Sequence, residues 1–342
     1  MQVTELAQAT PRGYEIWKQG NAIVKQMTFT AENCGEEAPN DRAVRLRDRY
    51  QGVLELQHAT PDLAQHVQPV TKLELDLENQ SPTLTVKANF IPGLDLREHF
   101  QQQINKINNP EAKAGAVVDI IEAVNSAIGY LLTHKIVHGD VKEGNIVITA
   151  GDRKTNNKPK ATLIDPEFMS QYNFENGLYH LQAGESWTGT LAYRPQVETS
   201  GNTIAISQTQ DVYAFALSLL RLMNISLDSK IDTSGFDFSN YSEYMGIYPA
   251  LNGYSPVPSL AANMAKYNFC KALIDFTIES YFGFDHKHYP AVVSIRQYLN
   301  ACLSSYRPAT LQELKTEIAP AGTKPLASSG MFSGSSAGYP TF

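Results

Sequence analysis

An Asp, a Lys and an Asn stand at the spacing Asp-x-Lys-x-x-Asn within His138-Gly139-Asp140-Val141-Lys142-Glu143-Gly144-Asn145. Phosphoryl transfer from ATP needs these three groups: a carboxylate to orient the attacking hydroxyl, an ammonium to offset charge on the transferred group, and an amide oxygen for Mg²⁺. Asp140, Lys142 and Asn145 are the candidates for those roles. An apolar helical run precedes the segment and a β-like Ile146-Val147-Ile148 follows it. Downstream, Ala161-Thr162-Leu163-Ile164-Asp165-Pro166-Glu167 reads as a strand ending in an acid. Such an acid suits a carboxylate brought back to the same metal, so Asn145 and Asp165 are the expected metal ligands.

The elements that must position these groups can be read from periodicity. Tyr14 to Lys18 and Ala22 to Phe29 are expected strands joined at Gln19-Gly20-Asn21, a hairpin turn signal. From Asp41 to His58 the pattern becomes helical, with Val44, Leu46, Val53 and Leu56 as its apolar face. Val70 to Glu78 and Thr83 to Phe90 alternate again as strands, and Ile91-Pro92-Gly93 breaks the run. Beyond it the chain reads as mostly helical, with long amphipathic stretches over Ala114 to His134 and Asp211 to Met223. The segment from Asp165 to Gln196 has little period. The loop between Ile148 and Ala161 carries Arg153, Lys154, Lys158 and Lys160 as a solvated charged turn. Ser234 to Ser259 reads as a surface insertion, and the Pro-, Gly- and Ser-rich tail over 319–342 as disordered.

Bulk properties restrict the class. With 342 residues, 42% of them hydrophobic, the chain is long enough for two lobes. A net charge of -7 argues against nucleic acid as a partner, since that affinity rests on clustered Lys and Arg. Cys34, Cys270 and Cys302 are odd in number and far apart, and read as free thiols in a reducing, cytoplasmic compartment. His180, His286 and His288 lack companions at metal-ligand spacing, and Trp17 and Trp187 read as packing anchors. No signal pattern opens the chain, and no uninterrupted apolar run approaches the roughly 18 to 20 residues of a membrane span.

With those motifs in place, the sequence from about Met1 to Glu317 resembles the eukaryotic-like (Hanks-type) protein kinase superfamily. His138-Gly139-Asp140 is similar to its H-R-D loop, Asp165-Pro166-Glu167 to D-F-G, and Ala22-Ile23-Val24-Lys25 to the V-A-I-K strand. The resemblance implies an α+β, bilobal protein-kinase-like fold, with a β-rich N-lobe over 1–90 and hinge plus helical C-lobe over 91–318. Lys25 would hold ATP phosphates with Glu55, late on the Asp41 to His58 helix, as its partner. Glu32, Glu36 and Glu37 are nearer in sequence, in an expected loop. Asn89 and Ile91 would offer backbone contacts to adenine, Ala88 would be a small residue behind the base, and Asp95 would lie near the ribose. Gly189-Thr190-Leu191-Ala192-Tyr193-Arg194-Pro195-Gln196 is similar to the end of an activation segment, with Thr190 bridging Asp140 and Lys142. Asp211 would anchor the catalytic loop, and Tyr306-Arg307-Pro308 resembles the close of the C-lobe, where Arg307 meets Gln196 instead of Glu and Glu198 is the substitute.

The chain also departs from that family. Ala9-Thr10-Pro11-Arg12-Gly13-Tyr14 replaces the glycine-rich phosphate loop; Arg12 reads as an ordinary solvated arginine, with a side-chain phosphate ligand as the alternative, and Ile23 stands where Ala usually roofs the adenine. Gly139 replaces the Arg that receives an activation-loop phosphate, so activity is expected without that phosphorylation. The resemblance implies a Mg-ATP-dependent Ser/Thr protein kinase, with Mn²⁺ as an alternative metal, a protein substrate and a regulatory protein partner. The alternatives are a nucleotide-binding pseudokinase or scaffold, and a small-molecule kinase or nucleotidyl transferase on the same fold. The divergence is also compatible with an effector secreted into a host cytosol.

Overall fold

The computed structural model describes residues 3–7, 13–78, 81–151, 158–175, 177–181, 189–190, 205–225 and 274–304. Its architecture is α+β, with an antiparallel sheet at the N-terminal end and mainly helices after it. The sheet has the order β1 (Val3–Ala7), β2 (Tyr14–Gln19), β3 (Ala22–Thr28), β5 (Thr83–Asn89), β4 (Val70–Asp76). Gln19 pairs with Ala22, so the β2–β3 hairpin closes on the two residues Gly20-Asn21 as the turn signal requires. Strand β1 is an addition to the expected order. Its short Val-Thr-Glu-Leu-Ala sequence has no distinctive run, and it is placed by pairing with the edge of β2.

Register decides what faces the rest of the molecule. Ile23, Lys25 and Met27 stand opposite Ala88, Val86 and Leu84, so all six side chains share one face of the sheet. Leu84 and Met27 are fully buried there. The face is covered by α2 (Pro39–Ala59), which follows a single helical turn, α1 (Ala31–Cys34). Pro39 at the first position and Asp41 in the first turn favour the start of α2, because Pro lacks the N–H that would be orphaned and the acid complements the dipole. Its buried stripe is Ala43, Leu46, Tyr50 and Val53. The apolar face expected from Val44, Leu46, Val53 and Leu56 is thus rotated slightly, since the half-buried Val44 and Leu56 flank the stripe while a tyrosine occupies it.

After β5 the Ile91-Pro92-Gly93 break leads into β6 (Leu94–Asp95) and α3 (Leu96–Gln102). The long helix α4 (Pro110–Thr133) is capped by Asn109, whose Oδ1 accepts the Ala112 N–H at 2.9 Å. Among the described residues α4 has the length and apolarity of a membrane-crossing helix. Yet Val117, Ile120, Ile121, Val124, Ile128 and Leu131 recur at helical spacing and are buried by neighbouring elements. It behaves as a core helix, and no clear membrane span results. Strands β7 (Ile136–Val137), β8 (Ile146–Thr149) and β9 (Lys160–Leu163) follow, β8 lying between β6 and β9, while β10 (Ser170–Gln171) pairs with β7. Helix α5 (Gln210–Ile225), a helix over 274–282 and α6 (Pro290–Leu299) close the core beside α4. There Tyr298 donates to Asn125 Oδ1 at 3.1 Å.

Because Leu84 is enclosed between the sheet and α2, truncating it leaves a cavity that rigid neighbours cannot fill. Leu84→Ala is expected to lower unfolding stability by about 2–5 kcal/mol, read as a fall in urea midpoint at unchanged slope.

Candidate functional site

The loop that carries Asp140 is held from below by one buried carboxylate. Asp211, in the first turn of α5, accepts the backbone N–H of His138 at 2.7 Å and of Gly139 at 3.1 Å. Burial pushes the Asp211 carboxyl above its ordinary range, while His138 and the two N–H groups pull it back part of the way. The His138 ring, fully buried, ties the loop to the strand before Asp165. Its Nε2 lies 3.1 Å from the Ile164 carbonyl oxygen and its Nδ1 3.4 Å from the Asp140 nitrogen. The first contact is a donation from Nε2–H to the carbonyl. On the far side of the loop Glu143, buried, is paired with Arg97 of α3 at 3.1 Å and faces Arg221 of α5 at 3.7 Å.

Two glycines make room for what comes next. Gly139 has φ +80, and a Cβ there would lie 3.0 Å from the Phe168 carbonyl oxygen. An arginine at this position would meet both obstacles, which is a backbone reason for the departure from H-R-D. Gly189 has φ +102, and a Cβ there would fall 2.0 Å from the Gly139 carbonyl oxygen. The approach delivers Thr190. Its N–H and its hydroxyl donate to Asp140 Oδ1 at 2.8 and 2.6 Å, while Lys142 Nζ and Asn145 Nδ2 donate to Asp140 Oδ2 at 2.7 and 2.9 Å. Lys142 also donates to the Thr190 hydroxyl at 3.0 Å. All four acceptor sites of the Asp140 carboxylate are filled, so its orientation is fixed. Asp140, Lys142, Asn145 and Thr190 are therefore brought together as the sequence led us to expect.

A second ionic group centres on Lys25 of β3. Its ammonium donates to Asp165 Oδ1 at 3.1 Å, to Glu167 Oε2 at 3.1 Å and to the Tyr50 hydroxyl at 3.4 Å. Burial works against the charge on Lys25, but Tyr50, Asp165 and Glu167 together hold its pKa well above the ordinary value. For Asp165 burial acts upward, and the charge and hydrogen bond of Lys25 outweigh it, so its carboxyl is lowered. The Tyr50 phenol is pushed well up, mainly by burial, and stays neutral. Asp165 itself adopts a left-handed backbone with φ +57, a conformation more accessible to Asp than to most residues.

The expected Lys25–Glu55 pair is not formed. Glu55 lies on the exposed side of α2 and accepts from Gln51 at 3.2 Å, because the turn of the helix that faces Lys25 presents Tyr50. Three groups therefore escaped the sequence reading: Tyr50, Glu167 and Gln68. Correct phasing of the Ala43, Leu46, Tyr50, Val53 stripe would have signalled Tyr50. Glu167 lay in a quoted motif without a role. Gln68 has no motif at all.

Gln68 bears on the expected base contacts. Its amide Nε2 donates to the Asn89 carbonyl at 2.9 Å and its Oε1 receives the Asp165 N–H at 3.3 Å, while the Asn89 N–H is used by the Pro69 carbonyl. Asn89 consequently has no free N–H for a base. Ile91 does, since its backbone groups have no hydrogen-bond partner among the described residues. Ala88 is buried beside this edge. Asp95 has a structural reason to be acidic, because it caps α3 by accepting the Glu98 N–H at 2.8 Å.

Asn145 and Asp165 are the residues that could hold a magnesium ion, which needs few protein ligands. Mg²⁺ prefers one or two protein ligands plus phosphate and water oxygens. Asn145 directs its Nδ2 into the loop, which turns its Oδ1 outward, and the Asp165 side chain is 40% exposed. Among the described residues no cluster of three His, Cys, Asp or Glu stands at metal spacing. A separate open groove of about 760 Å³ runs between the outer face of α2 and residues 169–171, lined by Arg45, Arg49 and Ser170 among others. It contains none of the site residues.

No protein-family model and no curated protein matches the chain. The assignment therefore rests on geometry. Arg12, Arg153, Lys154, Trp187, Gln196, Glu198, Cys270, Arg307, the 234–259 insertion and the 319–342 tail lie outside the described residues. Lys158 is paired with Glu122 on α4 at 2.5 Å, and Cys34 and Cys302 are buried thiols.

Asp211→Ala would strip two buried N–H groups of their acceptor. Each unsatisfied group costs about 1–3 kcal/mol, so the variant is expected to show a markedly lower melting temperature, measured by calorimetry.

Proposed function

We propose that the chain is a Mg-ATP-dependent phosphotransferase of protein-kinase-like, bilobal construction, acting on a Ser or Thr hydroxyl of a protein. The observation that carries this reading is the Asp140 carboxylate, oriented by Thr190, Lys142 and Asn145, with Lys142 within electrostatic reach of Asp165 and so of the Lys25–Asp165 pair. A packed core has little use for so many mutually oriented ionic groups at one cleft, since each must be compensated when removed from water. In the proposed reaction Asp140 orients the acceptor hydroxyl and takes up its proton as the hydroxyl oxygen bonds to the γ-phosphorus and the bond from that phosphorus to the β,γ-bridging oxygen breaks, releasing ADP. Lys142 offsets the charge that develops on the transferred group. Lys25 positions the phosphates, while Asn145 and Asp165 would hold Mg²⁺, whose bound form neutralises phosphate charge. Ile91 supplies the open backbone contact to the base.

The acceptor preference rests on Lys142 and Thr190, which resemble the Ser/Thr branch. Independence from activation-loop phosphorylation rests on Gly139, which provides no cation for a phosphate. A nucleotide-binding scaffold is a second reading, favoured by the complete occupation of Asp140's acceptor sites by protein donors: an incoming hydroxyl must displace one of them.

Melting curves with ATP, with and without Mg²⁺, separate the roles. Wild type is expected to gain several degrees only when both are present. Asp165→Asn should lose the Mg²⁺-dependent part, whereas Asp140→Asn should keep it and lose transfer by about a hundredfold or more. Unchanged transfer in Asp140→Asn would remove this residue from the mechanism. Binding without transfer in wild type would favour the scaffold.

A further inference from the structure

We infer that Glu167, not a carboxylate of α2, is the positioning residue that keeps Lys25 in place for the nucleotide phosphates, leaving Asp165 free to bind the divalent cation. The inference rests on the phosphotransferase reading above and assigns a role that the sequence motif does not suggest.

Lys25 has three donors and, in the structure, three partners. Only two of those carry charge, and they come from one short segment. Asp165 is needed for the metal, and when it turns to the cation the ammonium keeps only Glu167 and the neutral Tyr50. A buried ammonium without a counter-charge is costly, so one of its two carboxylates must stay. Exposure shows which. The Asp165 side chain is 40% exposed, whereas Glu167 is 11% exposed and Lys25 12%. The chain between them is also constrained. Pro166 fixes φ at the first position of a 3₁₀ turn, closed by the Met169 N–H on the Pro166 carbonyl at 3.0 Å. Asp165 can therefore change rotamer while Glu167 stays fixed. The inner stripe of α2 offers no substitute, being Ala43, Leu46, Tyr50 and Val53.

Loss of Glu167 should make Lys25 retain Asp165 and so compete with the metal. The full-length chain is titrated with Mg²⁺ at fixed concentration of an ATP analogue bearing a fluorescent ribose label, and binding is read by fluorescence without reference to turnover. Glu167→Gln is expected to raise the Mg²⁺ midpoint about tenfold. Adding Tyr50→Glu, which returns a carboxylate to the helix, should bring it back to within roughly threefold of wild type. A structural role alone would lower the melting temperature of Glu167→Gln without moving the midpoint. The inference is overturned if wild type binds the analogue with Mg²⁺ and the folded Glu167→Gln protein does so at an unchanged midpoint. Should that variant not fold, Glu167→Asp carries the test: its shortened reach must raise the midpoint roughly threefold, and no change overturns the inference. Failure of wild type itself to bind the analogue instead refutes the phosphotransferase reading.

Discussion

The ion pairs of Lys25 with Asp165 and Glu167 are the constraint on which the site depends. They join strand β3 of the N-terminal sheet to the segment that leaves β9, so a buried ammonium fixes the distance between two parts of the chain 140 residues apart. Neither charge could be buried alone at tolerable cost, and the pair is useful only with its geometry preserved. Tyr50 completes the arrangement from α2, filling the space between helix and sheet while donating its hydroxyl to Asp165 Oδ1 at 3.3 Å.

Around that constraint, the remaining polar contacts serve to hold loops. Asp211 fastens the backbone at His138 and Gly139, His138 fastens the strand at Ile164, and Gln68 fastens Asp165 to the edge of β5 at Asn89. Each holds a segment with no regular ladder of its own. The close approach of Gly189 to Gly139 has the same consequence, because only there can Thr190 reach Asp140. Gly139 and Gly189 thus allow the close approach that surrounds the Asp140 carboxylate.

Much of this was legible in the residues. Strands β2 to β5 and helices α2, α4 and α5 follow from period-2 and period-3.6 patterns, and Gly20-Asn21 closes its hairpin as turn chemistry requires. The Asp140, Lys142, Asn145 and Thr190 group assembles as its spacing and the later Gly-Thr suggest. The partner of Lys25 was not legible. Helix periodicity fixes the phase of a face only loosely, and at about 100° per residue the step from Tyr50 to Glu55 is about 140° around the helix, enough to put one inward and the other outward. Glu167 was hidden differently: a local turn with a left-handed Asp165 folds it back onto the same lysine, and no spacing rule anticipates that. β1 escaped because its pairing, not its composition, makes it a strand.

The claim that these groups form a phosphoryl-transfer site is tested most directly by the position of the label that leaves ATP. Wild type and Asp140→Asn are incubated with Mg²⁺, a generic protein substrate and ATP labelled at either the γ- or the α-phosphorus. The account predicts that protein acquires label from γ-labelled ATP alone, and only with wild type. Label from α-labelled ATP would show nucleotidyl transfer instead, and γ-label incorporated equally by Asp140→Asn would contradict the role of the carboxylate on which the account rests.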